Sequence, residues 1–534
     1  GLGSWRRCKS ACGRKPPAPA FFPTIPATMS MLRTALRRTA QVGAFGAVCV
    51  GGAGLTLKAI NDDMDDIPYF FKRPFLSWWS GDGEKKKVVV LGSGWGALSF
   101  VRKLDPREYD VTVVSPRPFF FYTPLLVGST TGVVSPGAII EPVRDVTEVD
   151  YLRTECTDVD LKAKKVTCAG GELTLDYDHL VVAVGAQPNT FGIPGVDKHA
   201  HFMKEMEHGR SVRKDLLDKI EEADVALAAG KEDEAKRLAH FVVVGGGPTG
   251  VEFCGELSDF IIQDLKRRYP KVAPYFKVTL VEALPNLLTM FDKSVGNYVQ
   301  GHLEEQGVDV KLNAMVKECK QKTVTLGSKD GSTVEMDFGV LVWVAGVGMR
   351  PFTKRLCDQI GKEAGQTDRR GLLVDEALRV KGTGLGEVFA IGDCAVSGKP
   401  PTAQVAYQQG KYLGRFFRLG QQTQITNPEA PAFAYNHQGT MAYIGQGEAA
   451  AELNPNAMIK LGKSSVTDHF FWRSLYGEET QLRVLGMAGF AIWRSVYFSK
   501  LLSNRNRWSV ASDWLKASMF GRPSSSSAQG TLLS

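Results

Sequence analysis

The chain has 534 residues, 43 % hydrophobic and 23 % charged, enough for two or three domains and too apolar for a disordered or fibrous protein. Its net charge of +8 sits at the front, where nine Lys and Arg and no acid precede Asp62, so the remainder is nearly neutral. That excludes a nucleic-acid-binding protein, which carries its basic stripe on the folded domain. Nine cysteines without a CxxC pair, and scattered histidines, offer neither a disulfide framework nor a zinc site, so no metal is expected.

Residues 1–61 read as a leader, with Met29 and Met31 as candidate initiation residues. From Met31 the sequence MLRTALRRTAQ is arginine-rich, acid-free and hydroxyl-bearing, the composition of a mitochondrial targeting segment. Residues 39–57 follow without a charge, over about the length that crosses a bilayer. Arginines precede this stretch and Asp62, Asp63, Asp65 and Asp66 follow it. Read as a span, it puts the amino terminus in the matrix and the body in the intermembrane space, on the inner membrane.

The body opens on a buried-strand signature, Val88-Val89-Val90-Leu91, which runs into Gly92-Ser93-Gly94-Trp95-Gly96-Ala97. In this G-x-G-x-x-A turn glycine permits close approach of a pyrophosphate to a helix amino terminus. The next strand, 111–114, ends at Ser115 where an acid is usual for ribose recognition. Leu180–Val184 is a further apolar strand that ends on Gly185, where backbone passes a cofactor closely.

A second copy, Phe241-Val242-Val243-Val244-Gly245-Gly246-Gly247-Pro248-Thr249-Gly250, is again strand, glycine turn and helix. Its next strand, 278–281, ends in Glu282, a carboxylate placed to accept both adenosine ribose hydroxyls and to repel a 2'-phosphate, which favours NADH over NADPH. Leu341–Ala345 ends on Gly346, and Val388–Ile391 leads to Gly392-Asp393. From Gly486 to Phe520, Phe490, Trp493, Tyr497 and Leu501, then Trp508, Ala511 and Leu515, recur at helical spacing among Arg494, Lys500, Arg505, Arg507 and Lys516. This predicts two basic amphipathic helices lying on a bilayer surface, the alternative being domain or dimer packing. Residues 523–534 read as a disordered tail.

The order GSGWGA, LVVAVGAQPN, FVVVGGGPTGVE, VTLVEALP, VLVWVAG, VFAIGD resembles the two-dinucleotide flavoproteins of glutathione-reductase-like fold. The resemblance implies an α/β fold with two Rossmann-like domains: 85–203 and 351–430 for FAD, 204–350 for NADH, and 431–522 for membrane association. It puts FAD on Gly92, Gly94, Ala97 and Asp393, and NADH on Gly245, Gly247, Gly250 and Glu282. Ser115, Thr123, Gly185, Gly346 and Ala403 complete the cofactor-contacting set.

The helix after the first turn, Leu98–Lys103, carries no cysteine, so the disulfide reductases of that superfamily are excluded. The strings FYTPLL at 121–126, GPTGVE at 247–252 and PPTAQVAYQ at 400–408 are similar to type II NADH:quinone oxidoreductases of fungi, plants and protists. That likeness implies hydride transfer from NADH to FAD and two electrons onward to membrane ubiquinone, without proton pumping. Gln404 and Gln408 are then candidates near the quinone carbonyls, and Glu252 for the nicotinamide amide, against a bland role as charge near a helix terminus. Tyr407 departs from the histidine of some members, and no EF-hand loop occurs. A homodimer is left open, as are two other readings: a reductase of a protein acceptor, and a flavin-binding signalling protein resembling apoptosis-inducing factors.

Overall fold

Valine-rich runs bounded by glycine, such as Val88–Leu91 and Phe241–Val244, are at most 5 % exposed along their length. Strands apolar on both faces pair in parallel and are covered by helices on each side. The computed structural model, which describes residues 85–105, 108–147, 149–419, 425–454 and 482–523, contains two such sheets. The leader and residues 39–57 lie outside the described residues, as does the tail from 524.

In chain order the strands are β1 (Lys86–Leu91), β2 (Tyr109–Val114), β3 (Asp150–Leu152), β4 (His179–Val182) and β5 (His201–Phe202). Then come β6 (His240–Val244), β7 (Lys277–Val281), β8 (Val308–Lys311), β9 (Val340–Trp343) and β10 (Val388–Ala390). The first sheet runs β10-β4-β1-β2-β3 and the second β5-β9-β6-β7-β8, all parallel. Each inserts a three-stranded antiparallel excursion, between β3 and β4 and between β8 and β9. The two halves therefore repeat one plan.

The chain crosses between halves on a two-stranded ribbon, Ala186–Pro188 against Val347–Met349. Because β5 already pairs with β9, the second half begins ahead of the 203/204 division read from the sequence. Helix α1 (Trp95–Val101) follows β1, α2 (Met206–Ala228) follows β5 in the second half, α3 (Pro248–Phe260) follows β6, and α4 (Ala403–Leu419) returns to the first half. A Cβ on Gly410 would stand 1.9 Å from Ser99 Oγ and 2.3 Å from the Gly96 carbonyl, so α4 lies directly against α1. Glu205, the amino-terminal cap of α2, accepts from Arg117 of the first half at 2.5 Å and from Arg350 of the crossing at 2.6 Å.

The carboxyl-terminal part adds an antiparallel sheet of β11 (Gly439–Gly445), β12 (Glu448–Leu453) and β13 (Leu482–Val484), then α5 (Gly486–Ser499) and α6 (Asn504–Phe520). Both expected helices exist, but the apolar stripe of α5 turns inward. Phe490 and Trp493 are 8 % and 6 % exposed and pack against Tyr443 of β11. Arg494, expected at a bilayer surface, lies over the rings of Phe490 and Trp514, where cation–π attraction replaces its water. In α6, Trp508 points out at 75 % exposure while Ala511 and Trp514 face in. Helical spacing identifies the apolar face and not what covers it, so packing on the protein prevails over the membrane for most of the stripe. Among the described residues no helix is long and apolar enough to cross a membrane.

One polar cluster pins this part to the second half. Glu252, Glu256 and Asp259 fall on one face of α3 at i, i+4 and i+7, all 7 % exposed or less. Arg522, 4 % exposed just past α6, reaches Glu256 Oε2 at 2.9 Å and donates to the Glu256 carbonyl at 3.0 Å. Its backbone N–H donates to Asp264 at 3.0 Å, in the π turn that continues α3. Burial raises the Glu256 carboxyl and Arg522 opposes that rise. Breaking a buried pair from one side costs about 3–5 kcal/mol because the other charge stays unpaired. Arg522→Ala should destabilise the chain by an amount of that order, and adding Glu256→Gln should restore part of it in a double-mutant cycle read by denaturant unfolding. Simple additivity of the two substitutions would show that the pair does not act as one unit.

Candidate active site: two glycine turns and a shared cavity

The first turn follows β1, where the strand order of its sheet reverses, the position at which open α/β sheets bind ligands. Gly92 has φ +115°, and a Cβ there would meet the Ala183 carbonyl at 2.3 Å, so only glycine fits. Around Gly94 the space is open, with Arg117 at 3.9 Å the nearest group to a Cβ, and α1 starts here with no capping side chain and no acid in its first turn. Free N–H groups at a helix start attract a phosphate. Ala97 is fully buried behind them.

The second turn repeats these roles. Gly245 has φ +119°, Gly247 has open space beside it, and a Cβ on Gly250 would strike the Gly245 carbonyl at 1.9 Å. These are the tight turn, the close approach and the helix packing that a dinucleotide turn requires. Glu282, at the end of β7, accepts from Gly246 N–H at 2.5 Å and from Leu284 N–H at 2.7 Å. The carboxylate is thus held at the lip of the crevice. Gly346 follows β9 with φ +75° and a Cβ there would meet the Phe191 ring.

A cavity of about 2040 Å³ runs from the first turn toward the carboxyl-terminal helices. That exceeds the roughly 300–1,000 Å³ typical of a small-ligand pocket, which suits an extended dinucleotide with a second ligand beside it. Gly92, Gly94, Ser115, Thr123, Gly185, Asp393, Ala403, Gln404 and Glu252 line it. Ala97, Gln408, Gly245, Gly247, Gly250, Glu282 and Gly346 are not part of its wall; the second turn lies at the carboxyl ends of β6 and β7, where an open α/β sheet has its crevice, and α3 reaches the cavity through Pro248, Thr249 and Glu252. The open space that a Cβ would enter at Gly94, with the uncapped start of α1, fits FAD.

Within the wall, Ser115 Oγ pairs with Ser93 Oγ at 3.1 Å, Thr123 Oγ1 accepts from Trp95 Nε1 at 2.9 Å, and Asp393 accepts from Lys204 at 2.9 Å. Gln404 lines the cavity and Gln408 stands behind it, one helical turn on along α4. Gln404 Oε1 accepts from the Tyr435 hydroxyl and from Gln438 N–H at 3.1 Å, while the Gln408 amide exchanges bonds with Asn436 at 2.8 and 2.9 Å. Both amides therefore hold the 435–439 loop against α4. That loop brings Tyr435 and His437 into the wall, and α5 brings Tyr497 and Lys500. No local motif marks any of these four, and helical spacing alone assigns Tyr497 and Lys500 to a membrane-facing helix.

Glu252 stands between the crevice and the cavity. Its Oε1 accepts from Tyr443 N–H and Trp493 Nε1, each at 3.3 Å. Burial pushes its pKa up to about 8, more than those two bonds lower it. The folded chain therefore holds a proton that the unfolded chain, at an ordinary carboxylate value near 4.5, releases. That contribution to stability is full below about pH 4.5 and is lost as pH rises through about 8, with a slope of at most about 1.4 kcal/mol per pH unit. Glu252→Gln should flatten the fall of stability between pH 5 and about 8, measured by unfolding at several pH values. An undiminished slope would mean that the carboxyl is ionised throughout.

The family described as pyridine nucleotide-disulphide oxidoreductase matches residues 86–410, and the NDH2 C-terminal domain matches 479–523. The chain is 39 % identical over 477 residues to the external NADH-ubiquinone oxidoreductase 2, mitochondrial, of Saccharomyces cerevisiae, covering 83 % of this chain and 82 % of the yeast protein. It is 36 % identical to the external alternative NADH-ubiquinone oxidoreductase, mitochondrial, of Yarrowia lipolytica, covering 89 % and 84 %. The structure of NDH2 from Plasmodium falciparum in complex with NADH aligns with a TM-score of 0.73 at 26 % identity, over 83 % of this chain and 100 % of that one. With the glycine turns, the cavity and these likenesses together, the chain belongs to the type II NADH–ubiquinone oxidoreductase family of FAD-dependent enzymes.

Proposed function

We propose that this chain transfers hydride from NADH to bound FAD and two electrons onward to ubiquinone, docked on the outer face of the mitochondrial inner membrane. One observation carries the redox reading: α3 starts at the second glycine turn and, one helical turn on, presents Glu252 to the cavity that starts at the first. A nicotinamide in the crevice and a flavin in the cavity would meet at that wall. FAD, when bound, accepts the hydride and releases the electron pair to the acceptor.

The chain's residues supply placement. Gly92, Gly94, Ala97 and the start of α1 hold the flavin pyrophosphate, with Asp393 beside the ribityl chain and Ser115, Thr123, Gly185 and Ala403 as further contacts. Gly245, Gly247, Gly250 and Gly346 shape the NADH crevice, and Glu282 selects the unphosphorylated ribose. Glu252 holds a proton near neutral pH beside the nicotinamide end. Gln404 and Gln408 act on the quinone mainly through the loop they fix. Glu282→Gln should raise the NADPH to NADH ratio of kcat/KM by about tenfold or more, since about 1.4 kcal/mol of relieved repulsion is tenfold. An unchanged ratio, measured with a soluble quinone analogue, removes that carboxylate from selection.

The relatives' names give a mitochondrial location; the membrane surface and its face are the finer reading. Docking is supported by Met487, Trp508, Met519 and Phe520, which are 65 %, 75 %, 56 % and 69 % exposed on α5 and α6. The outer face is supported by the charge order around residues 39–57 and by the word "external" in those names. In mitochondria with a sealed inner membrane, added NADH should be oxidised through this chain. Trp508→Ser with Phe520→Ser should move most of it from the membrane pellet to the fraction released on opening the outer membrane. Retention in the pellet argues against these side chains as the anchor, and a chain shielded from protease until the inner membrane is breached belongs to the matrix face.

A further inference from the structure

The antiparallel excursion of the first half, Cys156–Asp160, Lys165–Cys168 and Leu173–Asp176, begins directly after β3. Its first two strands set Cys156 opposite Cys168. Ala169 N–H donates to the Glu155 carbonyl, which puts the facing cysteines in the non-hydrogen-bonded position of the ladder. There opposed Cα atoms approach to about 4.5 Å, inside the roughly 4.4–6.8 Å that a disulfide spans. The other described cysteines have no cysteine at a paired position in a sheet.

The Cys156 S–H donates to the Asp158 carbonyl at 3.5 Å, and interaction with Cys168 raises the Cys156 thiol while Cys156 lowers that of Cys168. Cys168 is fully buried, whereas Cys156 is 7 % exposed and lines the edge of the cofactor cavity, within reach of a small solute. The excursion supports the crossing between halves, because Gln359 and Arg355, on the helix that follows Arg350, donate to the Val159 carbonyl at 2.8 Å and the Thr157 carbonyl at 3.2 Å.

We propose that Cys156 and Cys168 are a peroxide-oxidisable pair that closes to a reversible cross-strand disulfide in the native enzyme. Peroxide oxidises one thiol to a sulfenic acid, its O–O bond breaking with release of one water. The second thiol attacks that sulfur, the S–S bond forms, and the hydroxyl leaves with the second thiol's proton as another water. Two thiols and one peroxide thus give one disulfide and two waters, and a dithiol reductant reverses the bond. The cross-link ties the strand that receives Arg355 and Gln359 to its neighbour in the excursion.

The test uses reduced holoenzyme treated with a few equivalents of hydrogen peroxide, then alkylated, digested with trypsin and read by mass spectrometry. Trypsin separates the two cysteines at Lys162, Lys164 and Lys165, so the expected product is one cross-linked peptide pair, two hydrogens lighter than its reduced parts. Dithiothreitol should release it, Cys168→Ser should abolish it, and Cys357→Ser should leave it intact. The oxidised holoenzyme should also show a higher Tm than the reduced one. Recovery of both cysteines as separately alkylated thiols, as sulfinic or sulfonic acids, or in links to other cysteines overturns the proposal. The peptide readout on the unmodified chain decides the matter even where Cys168→Ser fails to fold.

Discussion

Three carboxyl groups buried on one helix are the constraint to which the rest of the structure answers. Glu252, Glu256 and Asp259 of α3 cannot stay in an apolar interior without donors, since an unpaired buried carboxylate costs several kcal/mol. The donors come from the carboxyl-terminal part: Trp493 and Tyr443 for Glu252, Arg522 for Glu256, and the Tyr443 hydroxyl with Gln446 N–H for Asp259. Burial pushes all three pKa values upward, which is the residue of a desolvation cost that those bonds only partly offset. The same helix begins at the second glycine turn. The carboxyl-terminal helices are therefore registered to the dinucleotide end, and not merely laid over it.

A second polar device fixes the halves to one another. Glu205 caps α2, the first long helix of the second half, and accepts from Arg117 of the first half and Arg350 of the returning crossing. Three chain segments meet at one carboxylate within hydrogen-bonding distance. Because the crossing itself is a ribbon of only three residues per strand, this clamp bears on the angle at which the crevice faces the cavity. Relative domain placement is otherwise the softest coordinate in a protein of this plan.

The parts legible in the sequence are those whose cause is local. Valine runs, the glycines of both turns and Glu282 declare themselves within about ten residues, because a strand, a positive φ and a close approach each need a particular residue type in place. What escaped has causes far along the chain. Of the acids in GVEFCGELSD only Glu252 stands out as a candidate, and nothing local shows that Glu256 is paired with Arg522, more than two hundred residues on. The stripe of Phe490 and Trp493 was readable as apolar, but its partner Tyr443 lies on a strand with no periodic signature of its own. Gln404 and Gln408 stand in the sequence as candidates, yet the loop that occupies their amides is about thirty residues on and absent from a nine-residue string.

This division of causes bears on where acceptor choice resides. The match to the pyridine nucleotide-disulphide oxidoreductases ends at residue 410, and the match to the NDH2 carboxyl-terminal domain starts at 479. The cavity crosses that boundary: its end at the first glycine turn is made by the first half, while Tyr435, His437, Tyr497 and Lys500 close the other end. Superfamily members with the same two sheets serve different acceptors, so the sheets themselves cannot select one. On the proposed reading, selection falls to the loop that Gln404 and Gln408 secure and to α5, and α5 keeps its place only while the acids of α3 keep their donors. A substitution far from the cavity, at Arg522, thereby acts on the same wall as one within it. The acceptor wall is a product of long-range pairing, which is why no short motif announces it.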